Sequence, residues 1–204
     1  MFNAAIKWIG LTAALLLVSS TAEANLLGMP LGLRSALGHL SFDEPALPPM
    51  AFTQFCMNYP NQCSTRRMRF RRGPVQLSEQ RWQDLADVNG EVNARIAPER
   101  NPDGLAGEKW LINPSAGDCN DYAVTKRSAL IERGWPARSL LLGEVITRWG
   151  EHHLILVVRT SGGDFVLDNM VDEVRPWFRV PYRWVRVQTP SNPNIWASIA
   201  ARRV

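Results

Sequence analysis

The chain has 204 residues, of which 46% are hydrophobic and 21% are charged, a balance typical of a globular protein with a sizeable core. The composition contains no low-complexity tract and no internal repeat, which argues against disordered and solenoid classes. A net charge of +4 would suit a nucleic-acid partner, but no nucleic-acid-binding motif accompanies the dispersed arginines. Composition therefore predicts a single folded domain that does not bind nucleic acid.

Residues 1–24 have the pattern of a secretory signal peptide. Lys7 supplies the positive charge, Leu11–Val18 is apolar, and an Ala-x-Ala cleavage site ends at Ala24. An uncleaved membrane anchor is the alternative, but the apolar stretch is much shorter than the roughly 20 residues that span a bilayer. We therefore expect cleavage after Ala24 and one mature domain, residues 25–204, in the periplasm or outside the cell.

Three cysteines divide into a pair and a single residue. Cys56 and Cys63 are close in sequence, and in an oxidising compartment their spacing favours a small disulfide-closed loop around Pro60. Metal ligation by this pair is the alternative, disfavoured because the chain has three histidines and no Cys-x-x-Cys motif. Cys119 is left over, which indicates either a free reactive thiol or an intermolecular disulfide.

The first clear helix is predicted over Leu77–Ile96. Before it, the segment 25–49 is expected to be extended, with a lone His39 that has no recognisable partner. Ser78 is a good N-cap, and apolar residues recur at helical spacing. This stripe is predicted to be core rather than a cofactor site, and it comprises Trp82, Leu85, Val88 or Asn89, Val92 and Ile96.

A second helix is predicted to begin in the stretch 117–122 and to end near Gly134. The preceding residues 113–117 contain Pro and Gly and are typical of a loop. Cys119 would then lie in the first helical turn, where free backbone N–H groups and the helix dipole favour a thiolate. A buried, inert cysteine is the structural alternative, since cysteine is among the residues most often buried.

After the second helix, the hydrophobic pattern changes to that of strands. Strands are predicted over Leu140–Thr147, His153–Arg159 and Phe165–Asp168, with Tyr182–Gln188 as the last. The second of these is apolar on both faces, which indicates a central position in its sheet. Helices followed by an antiparallel meander predict an α+β domain.

The order of these elements suggests a catalytic constellation. A cysteine nucleophile needs a base, and the base needs a third group to orient it. His153 begins one strand and Asp168 ends the next, and paired strands lie about 5 Å apart, so the two side chains can meet at one end of the hairpin. His152 competes as the base. Adjacent strand residues point to opposite faces, and the pattern does not choose between them.

Several blocks of sequence, in order and at similar spacing, resemble the bacterial transglutaminase-like cysteine proteinases. The resemblance runs from about Phe55 to Trp196. Three blocks typical of the family are matched, by Gly117-Asp118-Cys119-Asn120-Asp121-Tyr122-Ala123, by His153-Leu154-Ile155-Leu156 and by Leu167-Asp168-Asn169. The tryptophan and proline that precede the cysteine block in the family are present as Trp110 and Pro114, and Cys56, Pro60 and Cys63 also fit the family pattern.

The resemblance implies a papain- and transglutaminase-like fold with the nucleophile at a helix N-terminus. In it, Cys119 is the nucleophile, His153 the base and Asp168 the orienting acid. The implied activity is cleavage of a peptide bond in a periplasmic or surface protein through an acyl-enzyme. The same three residues would also serve a transglutaminase or other acyltransferase, and a non-catalytic binding module is the alternative from another class. An intact set of all three argues against the binding module.

The resemblance also implies a calcium site and particular partners. The chemistry needs no cofactor, but calcium-dependent members carry acidic residues around the cysteine, here Asp118, Asn120 and Asp121. Asn120 stands where the family usually has Glu, and one charge fewer predicts weaker calcium binding or none. Helix capping is the alternative role for the two aspartates. A surface adhesin as substrate and a regulatory membrane receptor are the partners implied by the best-known relative.

Overall fold

The computed structural model describes residues 38–64, 74–101, 104 and 107–200. The predicted signal peptide and residues 25–37 of the predicted extended segment lie outside these ranges. Among the helices of the described residues, none is both long enough and apolar enough to cross a membrane.

Helices and strands alternate only in the first half of the chain, and strands dominate the second half. The helices are α1 (Met50–Asn58), α2 (Pro60–Cys63), α3 (Glu79–Arg95) and α4 (Cys119–Glu132). The strands are β1 (Phe42–Ala46), β2 (Ala97–Pro98), β3 (Ala116–Gly117), β4 (Leu140–Ile146), β5 (His152–Thr160), β6 (Gly163–Asp168), β7 (Val171–Pro176), β8 (Arg183–Thr189) and β9 (Asn192–Ile199).

Seven of the described strands form one sheet in the order β1-β9-β8-β4-β5-β6-β7. Every neighbouring pair is antiparallel, whereas β2 and β3 form a separate short parallel pair. Two helices, α3 and α4, pack against one face of the large sheet. This arrangement confirms the predicted α+β fold, with helices packed on an antiparallel sheet.

The central strands are buried on both faces because their alternate residues enter two different cores. Leu142 of β4 and Leu156 of β5 belong to the cluster beneath the helices. Ile155 and Val157 of β5 point the other way, into a second cluster that includes Trp177. The period of two along a strand separates these sets, and the prediction that this strand is central is confirmed.

Helix α3 begins as predicted, but its buried stripe is shorter by one residue. The Arg81 N–H donates to Ser78 Oγ at 3.2 Å, so Ser78 is the N-cap. Leu85, Val88, Asn89, Val92 and Ile96 are buried, and both residues of the ambiguous pair lie inside. Trp82 is 39% exposed and only packs edge-on against Phe165 at 5.3 Å between ring centroids. Its inclusion in the core was wrong.

Three strands of the sheet are not predicted by the sequence pattern. Strands β1, β7 and β9 were not predicted, and Tyr182–Gln188 is followed by β9, so it is not the last strand. Pro45 in β1 and Pro193 in β9 interrupt the apolar alternation by which strands are recognised. His39 also has a partner, because its Nε2 lies 2.9 Å from the Thr160 carbonyl oxygen.

A disulfide joins Cys56 of α1 to Cys63 of α2, with the two Cα atoms 5.6 Å apart. It closes the turn at Tyr59 and Pro60 between the two helices. The structure therefore has the predicted disulfide, and these sulfurs are not available as metal ligands. Cys119 is the free cysteine of the described chain.

Candidate active site

Cys119 is the first residue of α4, and its position is set by the residues around it. Asp118 is the N-cap, and its carboxylate accepts the Asn120 N–H at 3.0 Å. The Asp121 carboxylate completes a capping box by accepting the Asp118 N–H at 3.1 Å, and it also accepts the Leu111 N–H at 2.7 Å. These hydrogen bonds cap the start of α4 and also hold it to the loop that precedes it.

His153 lies at the start of β5 and contacts Asp168, the last residue of the neighbouring strand β6. The His153 Nε2 is 2.8 Å from Asp168 Oδ1, and both side chains are only 3% exposed. His152 faces elsewhere: its side chain is 58% exposed, and its Nδ1 lies 2.5 Å from Glu144 Oε1. The strand period therefore separates the two histidines, and His153 is the one beside Asp168.

The thiol of Cys119 reaches the same end of the β5–β6 hairpin. The N–H of Leu154, the residue after His153, lies 3.5 Å from Cys119 Sγ. Because Nε2 of His153 is engaged by Asp168, Nδ1 is the ring nitrogen that remains to exchange a proton with a neighbouring group. The Cys119 thiol, the His153 imidazole and the Asp168 carboxylate are thus brought together from α4, β5 and β6.

Asp168 is held as a carboxylate by several donors. Burial by itself would raise its pKa, but the hydrogen bond and charge of His153, the Met170 N–H at 3.0 Å and the Tyr182 hydroxyl lower the pKa below its usual value. Burial and this same hydrogen bond raise the pKa of Tyr182, which therefore stays a donor. The Tyr182 ring also packs edge-on against His153, with 5.6 Å between centroids.

Sequence reasoning missed Tyr182 as part of this site. It was assigned only to a strand of alternating aromatic and arginine residues, whereas it lies just before β8 and contacts both His153 and Asp168. Its place at the start of an amphipathic strand gave no sign of which partner it would meet, because that depends on the pairing of strands distant in sequence.

Burial of Cys119 disfavours its ionised thiolate form, whereas the position at a helix N-terminus favours that form. The pKa of the Cys119 thiol is raised to about 12, chiefly by desolvation and further by the charges of Asp118, Glu108 and Asp168, while the hydrogen bond from the Leu154 N–H opposes the rise. A thiol in these surroundings keeps its proton at neutral pH. A thiol of this kind reacts as a nucleophile only with a base nearby, and His153, the residue before Leu154, lines the same cleft as Cys119.

A cleft of about 740 Å³ opens over Cys119 and His153. Its floor includes Trp110, which is 2% exposed and donates its Nε1–H to Glu108 Oε1 at 2.9 Å. Charged side chains of both signs line the cleft, namely Arg100, Arg186, Glu108, Asp118, Glu144 and Glu151. The volume is large enough for a small ligand or a short stretch of extended peptide.

The three residues considered for calcium do not form a cation site. Both Asp121 oxygens accept backbone N–H groups. Asn120 donates its Nδ2–H to Glu108 Oε1 at 2.5 Å, so its side chain turns an N–H group, which cannot bind a cation, toward this carboxylate. Burial first, and then the charges of Asp118 and Glu144, raise the pKa of Glu108. No group of three or more His, Cys, Asp or Glu side chains within the described ranges is arranged to hold a metal. The donor set does not fit calcium.

A family model for the bacterial transglutaminase-like cysteine proteinases (BTLCP) matches residues 42–204. The chain belongs to this family. It is accordingly a cysteine peptidase with the transglutaminase-like fold that the sequence resemblance implied. The family match spans every residue of the arrangement described above. Among curated proteins, no match to this chain is found.

Solved structures similar to this family member include Legionella pneumophila LapG. The calcium-bound form of LapG is 18% identical with a TM-score of 0.50, over 60% of this chain and 73% of that one. A second LapG structure is 21% identical with a TM-score of 0.48, over 57% and 68% of the two chains. At 18% identity, the likeness to the calcium-bound form shows a common fold and nothing about function.

Proposed function

We propose that this peptidase works through a Cys119-His153-Asp168 triad and is exported to act on a periplasmic or surface protein. The observation that carries the proposal is the meeting of three elements at one point: His153 Nε2 lies 2.8 Å from Asp168 Oδ1, and the next residue along β5 donates to Cys119 Sγ. Nucleophile, base and orienting acid are the parts required for acyl transfer by a thiol.

The first half of the reaction forms a thioester. Cys119 Sγ attacks the peptide carbonyl carbon while its proton passes to His153 Nδ1, which removes the need for a preformed thiolate. The Cys119 backbone N–H, in the first turn of α4 and without a helical partner, meets the oxyanion. The C–N bond then breaks, and the amine leaves with the proton that His153 returns to it.

The second half releases the acyl group. Water gives a proton to His153 and attacks the thioester carbonyl, and the thiolate leaving group recovers that proton. Asp168, with its pKa held low, stabilises the imidazolium in both halves. Tyr182 and Met170 keep the carboxylate in place, since each donates to it.

The location and the partners of the enzyme are proposed from the N-terminal sequence and the family resemblance. The pattern of residues 1–24 supports export. A surface adhesin as substrate and a membrane receptor as regulator are proposed on the resemblance alone. LapG has been solved with calcium bound, but the donors at Asp118, Asn120 and Asp121 do not fit the ion here, so no step passes through it.

The test uses residues 25–204 and a protein substrate in water labelled with ¹⁸O. Hydrolysis puts ¹⁸O into new carboxyl termini, and these products should be absent with Cys119→Ala and His153→Ala. If an added primary amine is incorporated in place of ¹⁸O, the enzyme is an acyltransferase. If the wild type gives neither product and Cys119 alkylates no faster than a free thiol would, the triad assignment fails.

A further inference from the structure

Two asparagines interrupt the apolar stripe of α3 and have no part in the proposed mechanism. Asn89 and Asn93 lie four residues apart, so they share one face of the helix. Asn89 is 0% exposed, and on the same face Leu85, Val92 and Ile96 enter the core. An amide placed among apolar side chains costs free energy unless its polar atoms are hydrogen-bonded. The partners of these two amides therefore indicate their role.

Both amides donate to the turn between β6 and β7. Asn89 Nδ2 donates to the carbonyl oxygens of Val171 at 3.0 Å and of Asp172 at 2.9 Å. Asn93 Nδ2 donates to the Asp168 carbonyl oxygen at 3.1 Å and to Asp172 Oδ1 at 2.8 Å. Its third neighbour is the Val171 carbonyl oxygen at 3.3 Å. Of the two asparagines, Asn93 is thus the one that contacts the residue assigned as the orienting acid.

These contacts join the β6–β7 turn to the helices. Asp168 pairs with Val171 across the hairpin, so its backbone moves with the turn. The Met170 N–H that holds the Asp168 carboxylate belongs to the same turn, and it cannot fix the position of the turn itself. Helix α3 packs against β7 and also against α4, which begins at Cys119. Asn93 therefore links the backbone of Asp168 to the helical layer that carries the nucleophile.

Stability alone does not account for these amides. The Oδ1 atoms of Asn89 and Asn93 are buried, and no hydrogen-bond partner for either is found in the described part of the chain. A leucine of similar size would fill the same space without an unpaired oxygen. A buried polar group that is only half satisfied is expected where function constrains its position. At Asn93 that constraint is the hydrogen bond to Asp168.

We propose that Asn93 is a positioning residue for the reaction: its amide holds the Asp168 carbonyl group in place, so that the Asp168 carboxylate meets His153. The proposal rests on the triad assigned above. His153 Nε2 and Asp168 Oδ1 are 2.8 Å apart, and such a hydrogen bond weakens steeply as its angle closes. Catalytic groups have to be held within about 0.5 Å of their productive geometry. Asn93 acts through Asp168 and is not among the residues that line the cleft.

The experiment compares the wild type with Asn93→Leu and Asn93→Asp. Leucine removes the donor at nearly the same size, and aspartate replaces it with an acceptor of the same shape. The second-order rate of Cys119 alkylation by iodoacetamide should fall about fivefold in both variants, a factor that corresponds to the free energy of one hydrogen bond. The aspartate variant provides the measurement if leucine prevents folding, which circular dichroism reports.

Asn89→Leu is the matched control. It removes an amide from the same face of α3 and from the same turn, but the acceptors of that amide belong to Val171 and Asp172. Any general effect of loosening the turn, including a change in melting temperature, should therefore appear in this variant as well. The alkylation rate of Cys119 should nevertheless stay at the wild-type value, because the bond from Asn93 to Asp168 is intact.

A double-mutant cycle shows which residues transmit the effect. Because Asn93 acts through Asp168 and His153, Asn93→Leu should slow alkylation in the wild-type background and have no further effect in His153→Ala. A residue that only supports α4 would slow the reaction of Cys119 in both backgrounds. The ring N–H of His153 gives a spectroscopic signature, since its downfield proton NMR signal should be broadened or lost in Asn93→Leu and kept in Asn89→Leu.

Three results would overturn the inference. They are wild-type alkylation rates in both Asn93 variants, an equal loss of rate in Asn89→Leu, and a loss that persists in the His153→Ala background. In each case, a wild-type rate that depends on His153 would leave the triad standing. A wild-type rate that does not depend on His153 would remove the triad and this inference together.

Discussion

The Asp121 carboxylate lies directly over the backbone of Gly117, and the two residues fit only because Gly117 has no side chain. A Cβ at position 117 would come within 2.1 Å of Asp121 Oδ2. This close approach lets Asp121 accept the Asp118 and Leu111 N–H groups, which fix the start of α4. Gly117, two residues before Cys119, therefore determines the position of Cys119.

We expect Gly117→Ala to displace Asp121 and weaken both the fold and the site. Loss of the capping interactions should lower the free energy of unfolding by about 2 kcal/mol. Cys119 alkylation should also slow, since its helix start is no longer held. Chemical denaturation and intact-mass kinetics measure the two effects.

Gly90→Ala is the matched control for this substitution. Gly90 is inside α3, and a Cβ there would have nothing within 4 Å. Alanine in a helix interior is favoured over glycine by up to about 1 kcal/mol, so this variant should be as stable as the wild type or more so. If Gly117→Ala is equally harmless, Asp121 does not hold the helix start.

Tyr182→Phe tests the hydroxyl that donates to Asp168. The folded pKa of Asp168 is lowered, so its ionised form contributes stability above the unfolded value of about 3.9, and this stability is lost as the pH falls through the folded pKa. Removing one donor raises that pKa. We therefore expect the acid limb of the pH–activity profile to move to higher pH, with about a tenfold loss of kcat/KM on the acid side.

Tyr59→Phe serves as the comparison. Among the described residues, the hydrogen bond found for the Tyr59 hydroxyl is one that it accepts from the Ile112 N–H, at a long 3.4 Å. This variant should keep the wild-type pH–activity profile. An unshifted acid limb in Tyr182→Phe would mean that its hydroxyl does not act on Asp168.

The parts of the fold that sequence predicts well are those whose burial follows a simple period. Helix α3 and the hairpin of β4 and β5 have clear patterns and short connections, and their predictions hold. Strands β1 and β9 contain prolines and polar residues. Strand β9 pairs with its neighbour in sequence, β8, but β1 joins the sheet by pairing with β9 from the other end of the described chain. Nothing local in the sequence indicates this pairing.

The same difference between local and long-range contacts determines which residues of the candidate site could be predicted. The sequence predicts that His153 and Asp168 lie close together, because a tight turn joins their two strands. The strand pattern alone left His152 and His153 open, and only the family resemblance favoured His153; in the structure His153 is the one that lies beside Asp168. Tyr182 could not be assigned at all, because it reaches Asp168 from the segment before β8, with the whole of β7 between them in sequence.

The disulfide between Cys56 and Cys63 should stabilise the fold without taking part in the reaction. A closed loop this small restricts the unfolded chain, and we expect Cys56→Ser/Cys63→Ser to lower the free energy of unfolding by about 2 kcal/mol. The alkylation rate of Cys119 should stay at the wild-type value under native conditions. A large fall in that rate, with the fold intact by circular dichroism, would show instead that the bridge shapes the site.

Asn120→Glu tests the conclusion that the donors around Cys119 do not fit calcium. In the wild type, Asn120 donates to Glu108, and calcium or a chelator should leave the melting temperature unchanged. The variant loses that donor and adds a carboxylate near Glu108 and Asp118, so like-charge repulsion should lower its melting temperature in chelator. Calcium, which prefers several carboxylate ligands, should restore the loss.

Asn120→Gln separates charge from the lost hydrogen bond. It disturbs the contact with Glu108 without adding a carboxylate, so its melting temperature should not respond to calcium. Isothermal titration calorimetry then gives the decisive comparison, with heat of calcium binding expected for Asn120→Glu alone. Binding to the wild type would show that Asp121 leaves its backbone partners for the ion, because its two oxygens are the carboxylate ligands that the helix cap occupies.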